Sequence, residues 1–330
     1  MTDYLSSLKA AAQFMRDHER FLIISHVNPD GDTTSSALAT ALMLEQLGKS
    51  YCIVNEGETP AKFAFLPRFD HIRNLQTDSV DETFSAVIAV DAADSKRMGD
   101  VRHLFAPDAK IVNIDHHPTN DHFGLINVIR TDAAATAEMM YELMEAGGFT
   151  ANLDLASCMY TGLLTDTGGF RYSNTTPNVM NIAAALLGYG VKPSEIAERC
   201  LEEITLGHVQ VLRRALQSLQ ISHNDLVASL RVGYADLQET KATSEDASGL
   251  VNYARNIEGV EVGISFVESQ LGVVKVSFRA RSYVDVSKIA QSLGGGGHAK
   301  ASGCTLTGTL EQVEEAVFEK VNEVLGVNRL

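Results

Sequence analysis

The stretch FLIISHVNPDGDTTSS, residues 21–36, decides the fold. The apolar run Phe21-Leu22-Ile23-Ile24 gives way directly to His26-Val27-Asn28-Pro29-Asp30-Gly31-Asp32. A short apolar run bounded by turn residues reads as a buried strand of a parallel sheet. A helical pattern opens at Thr33 and stops before Gly48, a usual C-terminal signal. The same texture recurs downstream: Asp91 closes the run 86–90, and Asp115-His116-His117 closes the run 111–114. In open α/β sheets the carboxyl ends of the strands line the ligand crevice, so polar residues far apart in sequence converge there.

Working outward, strands are expected near 21–25, 51–54, 86–91 and 110–115, with helices near 4–18, 33–47, 134–146, 152–164 and 176–188. Residues 193 to about 221 read as one long amphipathic helix that connects two domains. Beyond Leu226 the texture changes to strands at 226–232, 260–267 and 272–279, with helices near 245–256, 285–293 and 310–324. The fold class is therefore α/β, with a larger domain at 1–190 built on a parallel sheet flanked by helices, a helical linker at 191–222, and a smaller α/β domain at 223–330. A chain of 330 residues with 45% hydrophobic content has enough apolar surface for two cores.

A formal charge of −15 argues against a broad surface for long nucleic acid, which needs clustered Lys and Arg. A short anionic substrate stays open, since bound cations neutralise it locally. Cys52, Cys158, Cys200 and Cys304 lie far apart with no paired spacing, so neither a zinc ribbon nor a disulfide framework is indicated. Residues 1–20 lack the apolar centre of a signal peptide, and no stretch is apolar enough to span a bilayer, so a cytoplasmic protein with no membrane partner is expected. Monomer and homodimer both stay open.

Asp30 and Asp32, two residues apart in a turn tightened by Pro29 and Gly31, point two carboxylates into one cleft. Like charges held together call for a cation. With His26, Asp91, His116 and Asp166 they make six candidate ligands of mixed nitrogen and oxygen type, suited to Mn²⁺, Mg²⁺, Fe²⁺ or Zn²⁺ rather than to a thiolate-selecting metal. Six ligands suffice for two ions if one carboxylate bridges; two ions about 3.5–4 Å apart activate water and clamp phosphate oxygens. A lone Asp-Gly is an ordinary turn and a lone His an ordinary core residue. The coincidence of all of them at element ends of one α/β unit is what points to metal.

A second constellation lies near the end of the chain. Gly294 to Gly297 precede His298, Ser302 and Gly303, and glycines let backbone amides approach an anion. Arg279, at the end of a strand, offers a bidentate partner for phosphate. Phe170, Arg171 and Tyr172 follow Thr165-Asp166-Thr167-Gly168-Gly169 and suit base stacking or phosphate contact, with a core role for Phe170 equally open.

These motifs, taken in order, resemble those of the DHH phosphoesterases that carry a C-terminal DHHA1 domain. The naming triplet stands here as Asp115-His116-His117, and GGGGHAKASG at 294–303 is similar to the DHHA1 signature. The resemblance covers nearly the whole chain and implies a metal-dependent hydrolase with two divalent ions, Mn²⁺ first and Mg²⁺ second. By the same resemblance His26, Asp30 and Asp91 hold one ion, and Asp32, His116 and Asp166 hold the other with Asp91 bridging. His117 then contacts the phosphate or assists the leaving group, while Arg279, His298, Ser302 and the amides of Gly295, Gly296 and Gly297 bind the substrate. Length and the lack of extra modules resemble the nanoRNase and pAp phosphatase group, with short oligonucleotides and 3′-phosphoadenosine 5′-phosphate as substrates. Relatives acting on cyclic di-AMP or pApA are the near alternative; a pyrophosphatase, a polyphosphatase or a non-catalytic nucleotide sensor stands further off. The chain departs from the family pattern at Ser35-Ser36, where Gly-Ser is usual, and at Ala92, where Cys is common. The first departure puts the helix packing near Ser35 in question.

Overall fold

The run at 21–24 forms β1 (Arg20–Ile24), flanked on both sides by parallel neighbours. In this computed structural model, which describes residues 4–27, 29–243 and 245–326, the chain divides into two units, Met1–Glu203 and Ile204–Leu330. Asn28 of the first motif lies outside the described residues.

The first unit holds α1 (Tyr4–Asp17), β1, α2 (Gly31–Gln46), β2 (Ser50–Asn55), β3 (Ile72–Asn74), β4 (Phe84–Val90), β5 (Phe105–Asp115), β6 (Ile126–Ile129), α3 (Thr136–Gly147), α4 (Leu153–Asp166) and α5 (Pro177–Leu187). Its sheet is wholly parallel, in the order β3-β2-β1-β4-β5-β6. Strand order reverses between β1 and β4, so the chain leaves these two carboxyl ends in opposite directions and opens a crevice there. Leu22 and Ile24 pack on one face and Phe21 and Ile23 on the other, all fully buried. This two-sided burial explains why β1 reads as a continuous apolar run.

Helix α2 starts two residues earlier than its sequence suggests, because Asp30 accepts from the Thr33 amide at 3.1 Å and caps it. Residues 31–44 of α2 are all buried. Close packing against α4 depends on Gly162, where a Cβ would stand 2.6 Å from Ser35 Oγ and 2.5 Å from the Ala137 Cβ. The room that a glycine at position 35 would leave is thus made on the facing helix, which answers the departure at Ser35.

The expected single helix over 193–221 is a correction. It divides into α6 (Pro193–Ala197), a π-helical turn over Glu198–Glu202, an extended break, α7 (Leu206–Gln217) and β7 (Gln220–Ser222). Thr205 is the reason: its hydroxyl accepts from the His208 amide at 2.9 Å and starts a new helix.

The second unit continues with β8 (Val227–Val232), α8 (Tyr234–Thr240), α9 (Val251–Arg255), β9 (Val262–Gln270), β10 (Val273–Ala280), α10 (Val286–Ser292), β11 (Gly296–His298), β12 (Ala301–Thr307) and α11 (Leu310–Leu325). Its sheet is mixed, ordered β11-β12-β10-β9-β8-β7, with only the β8–β9 pair parallel. Val274, Val276 and Phe278 of β10 pack with α10 and α11, whereas α7, α8 and α9 supply residues to the core over β8 and β9. No helix among the described residues is long and apolar enough to cross a membrane.

Candidate metal centre and substrate face

Each residue expected in the metal cluster sits at the carboxyl end of the first sheet or at a helix end beside it. His26 follows β1, Asp30 and Asp32 begin α2, Asp91 follows β4, His116 follows β5 and Asp166 ends α4. One ligand atom from each of His26, Asp30 and Asp91 lies within 4.8 Å of the others, and the same holds for Asp32, His116 and Asp166, and for Asp91, His116 and His117. Asp91 faces two ways: Oδ2 is 3.5 Å from His26 Nε2, while Oδ1 is 3.6 Å from His116 Nε2. Its backbone is left-handed, φ +56°, a region that Asp and Asn enter more readily than other side chains.

The histidines are oriented from behind. His26 Nδ1 donates to the Val27 carbonyl at 2.8 Å and His116 Nδ1 to the Ala133 carbonyl at 3.2 Å, since a carbonyl only accepts. Both Nε2 lone pairs are thereby left toward the carboxylates, the arrangement of a metal-ligating histidine. His117 differs: Nδ1 donates to Asp115 Oδ1 at 2.7 Å, and Nε2 lies 3.3 Å from Arg97 Nη1. Asp115 is fully buried and takes a second bond from Asn120 Nδ2 at 2.6 Å.

Charge in this cluster is unbalanced. Burial, then the charges of Asp91 and Asp30, push the Asp32 carboxyl well above its ordinary range, although the Thr136 and Ala137 amides at the start of α3 donate to it. Its enclosed position, then Asp32, Asp30 and Asp91, push Asp166 up likewise. Burial also acts to raise Asp91, but its hydrogen bond to His26 and the charges of His26, His116 and His117 hold it well below the usual range. His26, which burial alone would lower, is pushed up to about 9 by Asp91 and then Asp30. That upward push reflects the surplus of negative charge around Nε2, which a bound cation would offset in place of a proton. Nitrogen and oxygen donors around an excess of buried negative charge fit divalent cations of the Mn²⁺ and Mg²⁺ type.

Two hydroxyls that sequence reading missed sit inside the cluster. Thr33 Oγ1 lies within 3.0 Å of Asp30 Oδ1, 2.7 Å of His26 Nε2 and 2.6 Å of Asp91 Oδ2, and Thr136 Oγ1 donates to Asp91 Oδ1 at 3.0 Å. Thr33 lies one turn beyond Asp30, a spacing that signals it. Thr136 carries no local signal. Arg97 lies 20 residues from His117 and carries no local signal either, whereas Asp115 stands in the naming triplet two residues before the ring that it orients.

Arg171 is exposed, its Nε donating to the Gly168 carbonyl at 2.5 Å. Phe170 is half-buried against the first unit's core and meets the Tyr160 ring edge-on, contacts that belong to a core role.

In the second unit, antiparallel register puts Arg279, Ala301 and His298 in one row, and Ser277, Gly303 and Gly296 in the next. Directly paired residues share a face. This face, opposite to Val276 and Phe278, is poor in side chains and carries a cationic or titratable group at each end of its first row. Ser302 pairs with Phe278 and is buried, its hydroxyl donating to the Val286 carbonyl at 2.7 Å. That places Ser302 as a support of the hairpin, not on the open face. The Gly295 amide likewise donates to the Ala290 carbonyl at 2.8 Å and finishes α10. A Cβ at Gly295 would stand 2.2 Å from the Gly303 carbonyl oxygen, and Gly297 has φ +134°, so both glycines are required by shape.

Comparison with known proteins agrees with this layout. Residues 20–163 match the family model described as DHH family, N-terminal domain, and residues 226–326 match the DHHA1 domain. The chain is 35% identical over 326 residues to the bifunctional oligoribonuclease and PAP phosphatase NrnA of Thermus thermophilus, covering 98% of this chain and 95% of that one. It is 30% identical to the protein of the same name from Bacillus subtilis, covering 88% and 90%. The crystal structure of an exopolyphosphatase-related protein from Bacteroides fragilis has the same fold, with a TM-score of 0.90, 21% identity and 96% of each chain covered. With its two domains, its ordered motifs and full-length relatives of this kind, the chain belongs to the DHH–DHHA1 family of metal-dependent phosphoesterases.

Proposed function

We propose that the protein hydrolyses very short oligoribonucleotides and 3′-phosphoadenosine 5′-phosphate, using two divalent ions, Mn²⁺ foremost. The observation that carries this reading is the placement of Asp91, with one oxygen toward His26 and the other toward His116. His26, Asp30 and Asp91 would hold one ion and Asp32, His116 and Asp166 the other. When bound, such ions lower the pKa of water and offset charge building on the phosphate oxygens. Thr33 and Thr136 fix the rotamer of Asp91. His117 delivers a proton from Nε2 to the departing oxygen, and the buried Asp115 stabilises the imidazolium through Nδ1. Arg97 Nη1 donates to Nε2 while that nitrogen is unprotonated, and gives up this bond when Nε2 takes up the proton that it delivers.

In the second unit Arg279 and His298 take a substrate phosphate over the glycine face; in the first unit the exposed Arg171 is a further candidate for phosphate contact. The names of the relatives support oligoribonucleotides and PAP as substrates, and the negative formal charge of −15 agrees with a preference for short ones.

The deciding experiment is release of mononucleotide and phosphate from a panel holding pAp, RNA dimers to pentamers, pApA, cyclic di-AMP, pyrophosphate and a long single strand. Strong Mn²⁺-dependent turnover of pAp and the shortest RNAs, abolished by chelation and restored by Mn²⁺, is expected. Preference for cyclic di-AMP or pApA would reassign the protein to signal turnover, and activity that survives chelation would remove the metal reading. Arg279→Ala is expected to raise KM about 10-fold or more, the weight of one charge-assisted hydrogen bond, with kcat changed far less. An unchanged KM on every substrate takes Arg279 out of the site.

A further inference from the structure

Tyr283 is 68% exposed, more than any other tyrosine or phenylalanine among the described residues. Its backbone is nevertheless firmly held. The buried Glu261 carboxylate accepts from the amides of Ser282, Tyr283 and Val284 at 2.8–3.1 Å and from the Ser282 hydroxyl at 2.7 Å. Lys300 Nζ donates to the Ser282 carbonyl, and the Val286 amide to the Ala299 carbonyl at 3.0 Å. The loop thus lies along the turn that joins β11 to β12, at the end of the sheet where Arg279 and His298 share a row. Arg281, next in the same loop, is anchored by its Nη2 to the Arg255 and Ile257 carbonyls.

An exposed ring contributes little to the burial that holds this loop, and its preorganisation suits a ligand. Cationic groups with an aromatic ring on a rigid loop form the common recognition pattern for single-stranded nucleotides, phosphate on the cations and base on the ring. We propose that Tyr283 stacks on the nucleobase of the nucleotide whose phosphate Arg279 and His298 engage. Stacking on a π-face is tolerant of base identity, so this contact would favour nucleotides over other phosphoesters without reading sequence. The proposal rests on the nucleotide reading given above and adds the group that holds the base.

The chain contains no tryptophan, so Tyr283→Trp introduces a single indole reporter. Titrating this full-length variant with AMP should quench the indole fluorescence saturably, a readout that needs no turnover. In parallel, Mn²⁺-loaded parent, Tyr283→Ala and Tyr283→Phe are compared on pAp and on the abasic sugar 3′,5′-bisphosphate. Tyr283→Ala should raise KM for pAp about 10-fold while leaving that of the abasic compound within about twofold, and Tyr283→Phe should restore the parent value. Equal effects on both substrates, or no effect on either, would overturn the role, as would an indole that AMP does not quench. If the parent hydrolyses neither compound, the activity reading fails while the fluorescence titration still decides base stacking.

Discussion

Asp91→Asn lowers phosphoester hydrolysis by at least about 10³-fold while the first unit still melts cooperatively. Asparagine keeps the size of Asp91 and enters the left-handed region in which it sits, φ +56°. Alanine would add strain of about 1–2 kcal/mol there and confuse loss of fold with loss of function. The substitution removes the one negative charge that faces both His26 and His116. The bonds from Thr33 and Thr136 would then meet a neutral amide, one side of which donates instead of accepting. Initial rates on pAp with saturating Mn²⁺, beside a thermal melt, check the claim. A variant that retains activity within about tenfold of the parent would end the assignment of Asp91 as shared ligand.

The largest effect on stability is expected at Glu261. This residue is 3% exposed, and its carboxylate organises the loop 282–284 by three backbone amides and a hydroxyl. Glu261→Ala leaves those donors without their acceptor and is expected to cost the second unit about 3 kcal/mol or more. Although burial alone acts to raise its pKa, the bonds from Val284, Ser282 and Tyr283 hold the folded value below the ordinary Glu range. The sign follows: a depressed folded pKa adds stability that is complete above the unfolded value, about 4.3, and is lost as pH falls through the folded value. The gap between parent and Glu261→Gln should therefore be full at neutral pH and shrink in acid. Denaturant melts at pH 7 and at lower pH test both statements; a Glu261→Ala protein that unfolds with the parent at neutral pH contradicts them.

What the sequence discloses depends on how far each residue's partner lies along the chain. Strands β1, β4 and β5 are legible because burial on both faces writes a continuous apolar run. Strands β3, β6, β7, β11 and β12 were missed. Gln220–Ser222 continues a helical pattern in sequence, and Gly296–His298 reads as a loop, for its extended form comes from pairing with β12 and not from its own propensity. The metal cluster was legible because its members end strands and helices. Its supports were not: Thr136 lies 45 residues from Asp91, and its amide reaches Asp32 across 104 residues, so no local spacing announces either contact. The glycine tetrad suggests a cradle of amides in sequence, but Gly295 gives its amide to a helix end and serves by having no side chain.

Both sheets end in short strands, three residues at β3, β7 and β11 and four at β6. An open sheet edge is a template for adding a foreign strand, and its hazard grows with length and flatness. The glycine-bearing edge strand β11 would be such a template if it ran on, having few side chains to keep another chain away. Its brevity, with glycine's poor strand propensity, limits the number of backbone bonds that an intruding peptide could make. Lengthening β11 with β-branched residues is therefore the change by which this protein would become prone to self-association, and shortness at the edge is what lets a side-chain-poor face stay exposed in a crowded solution.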